Sequence, residues 1–351
     1  MRLDRLVPLL AALAIACGAS EASHQGPGAP PPASETSDET PPPPPLPTAE
    51  AGFVEVPAQP KGGSPLRARM FYSFRAADVD PATKPLVVMF NGGPGAATSA
   101  FLAVLNTGPW SVDLHGPVGA PPIESKRSLT EVANLLYVDE RSAGFSYEIG
   151  GVNHGFCEFE SSPDAAEFLR VVLAFIERHP ALAKSKLVLL GESYGGMRAT
   201  EMANMLLDYT HEPASSLGIT ELVQAWADRA FGPSDEPHPP DRIARQLAGL
   251  VLVQPMIFGK DQMDLQAGLA TEVGSNVGER DTNDVRRPVH TFEREIAPRI
   301  GAALSDPNAL RHLFGVDLDT IPELRPESRL DAHRGTGHSE LPGVNAAFGS
   351  R

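Results

Sequence analysis

Lys186–Met197 reads KLVLLGESYGGM, and this stretch constrains the fold more than any other. Four apolar, β-capable residues (Leu187, Val188, Leu189, Leu190) run into Gly191-Glu192-Ser193-Tyr194-Gly195, and a stretch with helical character comes next. A G-x-S-x-G between a strand and a helix is a nucleophile elbow: its glycines permit a sharp turn and keep bulk away, so the serine hydroxyl projects above the sheet edge. The same geometry leaves the Tyr194 N–H free to hold an oxyanion, aided by the positive end of the following helix. Alone, the five-residue motif is weak, because Gly and Ser are common in ordinary turns. The strand ahead of it and a second glycine loop upstream give it weight.

That second loop comes after Pro85-Leu86-Val87-Val88-Met89-Phe90, a continuous apolar run expected of a strand buried on both faces. It reads Asn91-Gly92-Gly93-Pro94-Gly95. A glycine loop at the end of a parallel strand could cradle phosphate, but neither the Lys-Ser/Thr pair of a P-loop nor a G-x-G-x-x-G fingerprint is present. The alternative is an oxyanion hole, with the Gly93 N–H as second donor beside Tyr194.

Three motifs in order, Asn91–Gly95, then Asn134-Leu135-Leu136-Tyr137-Val138-Asp139 leading to Gly144-Phe145-Ser146-Tyr147, then Gly191–Gly195, resemble the serine carboxypeptidase family, peptidase family S10. The resemblance covers about Phe53 to Phe258 and looks nearest the bacterial branch, where an arginine, here Arg198, comes after the elbow. It implies an α/β-hydrolase fold, mainly a parallel sheet flanked by helices, with Ser193 as acyl-enzyme nucleophile. It also implies Gly93 and Tyr194 as oxyanion-hole amides, and Asn91 and Glu192 as the pair that recognises a substrate's C-terminal carboxylate.

The chain departs from that family at several points. Asn106-Thr107 stands ahead of Gly108-Pro109, where eukaryotic members carry a glutamate that pairs with the one beside the nucleophile. Two carboxyls can share a proton and so bind a carboxylate at acidic pH, and one carboxyl opposite an amide cannot. Glu140-Arg141 replaces the usual Gln-Pro after Asp139, the turn is a residue shorter, and Phe90 replaces a tryptophan.

The triad's acid and base should come after the nucleophile in the order Ser…Asp/Glu…His. Gly337-His338 and Gly278-Glu279-Arg280-Asp281 are the candidates. No β-like run precedes either, which favours ordinary solvated polar residues, and His290, His312 and His333 are no better placed by pattern.

Elsewhere the pattern alternates between strand and helix. Phe53–Val56 and Ala68–Phe74 read as leading antiparallel strands, Asp164–His179 as a helix, and Leu247–Pro255 as another buried parallel strand. Glu212–Arg242, interrupted by Gly232-Pro233, Pro237 and Pro239-Pro240, reads as an irregular insertion over the sheet edge. Pro288–Leu304 and Pro307–Phe314 have helical spacing, and Lys260–Asp331 reads as a helical lid.

The 351 residues divide into four parts: a signal peptide at 1–16, a Pro-rich disordered linker at 17–50, the core at 51–258, and a lid-like and irregular region at 259–351. Arg2 and Arg5 precede the apolar Leu6–Ala16, and Ala14-Ile15-Ala16-Cys17 resembles a bacterial lipobox, with plain secretion as the alternative. Either reading exports the chain, with the membrane reached only through a lipid on Cys17. Pro41–Pro45 favours an extended spacer. The net charge of −15 argues against nucleic acid or an anionic membrane surface as a partner. Cys17 and Cys157 cannot form a disulfide framework, and Cys157 reads as a buried thiol.

The function expected is therefore a serine carboxypeptidase-like hydrolase acting on peptides, without metal or organic cofactor. The alternatives are a catalytically incomplete binding protein on the same fold, or an esterase or acyltransferase.

Overall fold

The computed structural model describes residues 43–59, 64–105, 107–150, 160–256 and 292–324. The targeting segment, most of the linker, Asn106 and Cys157 lie outside them, as do Phe258, Asp281, His290, His333 and His338.

A seven-stranded mixed sheet organises the fold. It comprises β1 (Ala49–Val56), β2 (Arg67–Arg75), β3 (Leu86–Phe90), β6 (Asn134–Val138), β7 (Tyr147–Ile149), β8 (Leu187–Glu192) and β9 (Leu247–Val253), in the order β1-β2-β6-β3-β8-β9 with β7 also on β2. A separate two-stranded ribbon pairs β4 (Trp110–Ser111) with β5 (Ile123–Glu124). The run β6-β3-β8-β9 is parallel, whereas β1, β2 and β7 join antiparallel. β1 takes in Ala49 and Glu50, which the sequence reads as linker; the Glu50 carboxylate accepts from the Tyr72 hydroxyl at 2.5 Å.

Both faces of the central strands are covered, so Leu86–Phe90, Leu135–Val138 and Leu187–Leu190 are continuous apolar runs. Met70, Tyr72, Phe74, Val88, Phe90, Leu136 and Leu189 share one hydrophobic cluster with α1 (Ser161–Arg178), α2 (Tyr194–Leu207) and α3 (Thr220–Phe231). Phe71, Met89, Leu135, Tyr137 and Leu190 alternate to the other face. In α1 the residues Ala165, Phe168, Leu169, Val172 and Phe175 are fully buried, the stripe expected from their spacing.

Two sequence expectations are corrected. Glu212–Arg242 is not irregular: it holds α3 and α4 (Pro240–Gln246). Thr220–Phe231 contains no proline or glycine and buries Val223, Trp226, Ala227 and Ala230 on one face, with the Trp226 indole N–H donating to the Ala183 carbonyl at 3.2 Å. β9 is parallel to β8 as expected, but it ends the described sheet and is only half-covered, with Leu250 37% and Leu252 39% exposed.

The described C-terminal helices are a π-helical turn (Phe292–Ile296), α5 (Ala297–Ser305) and α6 (Pro307–Phe314). Ile300, Leu304, Leu313 and Phe314 are buried in the cluster on the sheet's second face. The Phe314 ring stands edge-on to Phe71 and Phe145 at 6.0 and 5.9 Å. These helical residues share that cluster with Phe71, Met89 and Leu135 and with Ala97, Ala100 and Val104 from the segment after β3.

Candidate active site

β8 runs into Ser193, and α2 begins at the next residue. Ser193 has φ 56 and ψ −120, a conformation that a side-chain-bearing residue adopts only when its surroundings enforce it. Three hydrogen bonds do so: the Ser193 amide donates to the Val253 carbonyl at 2.9 Å, and its carbonyl accepts from Gly196 at 2.9 Å and Met256 at 2.7 Å. The end of β9 therefore braces the turn. Gly191 is required because a Cβ there would strike the Gly195 carbonyl.

The upstream glycine loop packs directly on this turn. A Cβ on Gly92 would lie 2.5 Å from the Tyr194 nitrogen and 3.0 Å from the Ser193 Cβ. Gly93 sits at φ +108. Neither the Gly93 nor the Tyr194 amide donates to a loop or turn carbonyl among the described residues. The Asn91 side-chain amide donates to the Glu192 carboxylate at 2.6 Å, while its oxygen accepts from the Leu102 amide at 3.3 Å. The structure thus gathers Asn91, Gly92, Glu192, Ser193 and Tyr194 at the carboxyl ends of adjacent strands β3 and β8, with Gly93 next in the same loop.

Beneath these residues lies a set of buried charges whose grouping is not apparent from sequence spacing. Arg198, one turn into α2, is fully buried. Its guanidinium donates to Asp164 at 2.8 Å, to Glu140 at 2.7 Å and to the Asn91 carbonyl at 2.7 Å. It also lies 4.0 Å from the centre of the Phe168 ring. The Glu140 oxygen that receives Arg198 also accepts from the Gly95 amide at 2.9 Å. Burial pushes the Glu140 carboxyl up to about 7 against the pull of Arg198, and burial likewise raises Asp164.

Asp139 is equally buried. It accepts from the Ser99 amide and hydroxyl at 2.8 and 2.7 Å and from the Phe145 amide at 3.0 Å, tying the turn after β6 to the segment after the glycine loop. Burial outweighs these donors and brings its carboxyl to about 6. Glu140 and Arg141, departures from the family pattern, were the signal that could have found this layer: a consecutive acid and base after a buried strand must each find a partner inside.

Thr107 is turned into packing, bonded to the Leu102 carbonyl and to the Tyr137 hydroxyl, the latter at 2.9 Å. The candidate base and acid, His338 and Asp281, lie outside the described residues. Of the other histidine candidates His312 is described; it is exposed on α6, its ring 4.7 Å from Trp110.

A strand, a strained serine and a helix, faced by a glycine loop from the neighbouring parallel strand, define the elbow of a serine hydrolase. The serine carboxypeptidase family model matches residues 43–220, and the chain belongs to that family, with its α/β-hydrolase fold. Among curated relatives, serine carboxypeptidase S10 family member 1 of Dictyostelium discoideum is 35% identical over 130 residues, 37% of this chain and 29% of that protein. Serine carboxypeptidase-like 44 of Arabidopsis thaliana is 30% identical over 161 residues, 45% of this chain and 31% of that protein. The matched part spans about three-tenths of these relatives' length. Among solved structures, a prohormone-processing carboxypeptidase from Saccharomyces cerevisiae aligns with TM-score 0.41 and 18% identity, over 77% of this chain and 52% of that one.

Proposed function

We propose that the chain is a serine carboxypeptidase-like hydrolase that cleaves peptides by acyl transfer to Ser193. One observation carries the reading: Ser193 is held at φ 56 between β8 and α2, with the glycine loop packed against the Tyr194 amide. In this mechanism the Ser193 Oγ attacks the scissile carbonyl carbon as its proton passes to a base. The carbonyl oxygen takes the negative charge between the Gly93 and Tyr194 N–H groups. The leaving amine departs with that proton, and water then hydrolyses the acyl-enzyme. A serine hydroxyl needs such a base, and His338 oriented by Asp281 are the sequence's candidates for it.

The hydrogen-bonded Asn91 and Glu192 flank the nucleophile and are the groups that would meet a C-terminal carboxylate. Thr107 favours a second reading, an esterase or acyltransferase, because its hydroxyl is engaged in packing and supplies no second carboxyl. Turnover of an N-blocked dipeptide and of its methyl ester by the full chain separates the two. Preference for the free carboxylate supports the carboxypeptidase, and preference for the ester supports the alternative. Turnover of neither by folded protein supports a binding protein.

Family membership accords with export, and the finer proposal is a lipid anchor on Cys17. Cell fractionation tests it: Cys17→Ala should leave the membrane fraction, and equal retention would reject the anchor.

A further inference from the structure

The loop Asn91–Gly95 carries the proposed Gly93 oxyanion donor, and its two ends are held by one buried charge pair. At the first end, the Asn91 carbonyl accepts from Arg198 at 2.7 Å. At the other, the Gly95 amide donates at 2.9 Å to the Glu140 oxygen that accepts from the same guanidinium at 2.7 Å. Arg198 lies on the helix that Ser193 caps, so the loop is referred to the nucleophile through a single side chain. Glu140 reaches the loop from the turn after β6, two strands from β8 in the sheet.

We propose that Glu140 is a positioning residue for the reaction: clamped to Arg198, it sets the Gly95 end of the glycine loop and thereby aims the Gly93 amide at the oxyanion. Its surroundings suit that role. Arg198 and Tyr194 from α2 and Asp164 from α1 are the ionisable groups facing it. Glu140 is 1% exposed, and its second oxygen has no hydrogen-bond partner among the described residues. Its polar contacts there are spent on Arg198 and the loop. Burying a carboxyl to hold one loop amide is costly, and the position of that amide is what it gains.

The kinetic test rests on the reading of Ser193 as nucleophile; the exchange test does not. Glu140→Ala removes the acceptor for Gly95. Glu140→Gln keeps a carbonyl oxygen in its place. With wild-type protein that reacts with a fluorophosphonate, Glu140→Ala should lower the inactivation rate about 10- to 100-fold, less than the roughly 100- to 1000-fold cost of removing an oxyanion donor outright, because the Gly93 amide is misaimed and not lost. The loss should fall on kcat for any substrate turned over, with KM changed less than about threefold. Glu140→Gln should recover most of the rate, which a merely structural role would not require. Should Glu140→Ala not fold, Glu140→Asp, one methylene too short, is expected to show the same loss. Wild-type rates in a folded Ala or Asp variant would overturn the proposal.

If the wild type does not react, the hydrolase reading fails and amide hydrogen exchange decides the clamp alone. Faster exchange confined to residues 91–95 in Glu140→Ala upholds it, and unchanged exchange there overturns it.

Discussion

Two buried arginines, Arg198 and Arg141, look alike by composition and differ in what they hold. Arg141 is 2% exposed and forks onto Glu167 at 3.0 and 3.1 Å, with Glu148 at 3.4 Å. Its remaining donors reach the Leu66 and Pro57 carbonyls, and Gln59 bonds Glu167 from the same side. Those are backbone segments around the β1–β2 connection, away from the elbow. Arg198 has the same two-carboxylate arrangement but spends its third contact on Asn91, in the loop packed on Ser193. Burial and charge therefore do not distinguish a cluster remote from the candidate site from one beneath it. The backbone each is tied to does.

Breaking both clusters separates the roles. Arg198→Met leaves Asp164 and Glu140 buried without their cation, and Arg141→Met does the same to Glu167 and Glu148. Each should cost about 3–5 kcal/mol of stability, measured by urea unfolding. Only Arg198→Met should also lower the fluorophosphonate reaction rate of the folded protein, by roughly 100-fold or more, because the loop loses its reference to Ser193. Arg141→Met should stay within about threefold of wild type. Equal rate losses in both variants would show that stability alone sets reactivity and would erase the distinction.

A smaller effect tests what the clusters share. Each holds two carboxyls per guanidinium, so one charge is uncompensated, and burial raises Glu140 and Glu167 from 4.5 to about 7. The folded state then keeps protons that the unfolded chain has lost. This contribution to stability is full below about pH 4.5 and is lost as pH rises through 7. For Glu167 it amounts to on the order of 3 kcal/mol. The stability difference between wild type and Glu167→Gln should therefore shift by that amount, against wild type, from about pH 4 to about pH 8. A difference independent of pH would show that Glu167 titrates alike in the folded and unfolded states.

Much of the frame was legible because each signal was local. The apolar runs at Leu86–Phe90 and Leu187–Leu190, each ending in a glycine turn, specify both the strands and the tight turns that end them. The helical stripe from Ala165 to Phe175 was equally plain. The hidden part depends on contacts between distant segments. Asp164 and Glu140 meet Arg198 from positions 34 and 58 residues away, a grouping no periodicity displays. α3 was obscured by the prolines and glycine around it, although its own stripe from Val223 to Ala230 was readable. The C-terminal helices had the right spacing but gave no sign of which surface they would cover, since an apolar stripe suits a lid and a core layer equally.

The central claim is that Ser193 is an activated nucleophile. The most direct measurement is intact-mass spectrometry of the full chain after exposure to a fluorophosphonate, beside Ser193→Ala. The account predicts one adduct on the wild type, mapped by peptide analysis to Ser193, and none on the variant. A folded wild type that takes no adduct, or an adduct of equal yield on Ser193→Ala, would contradict it.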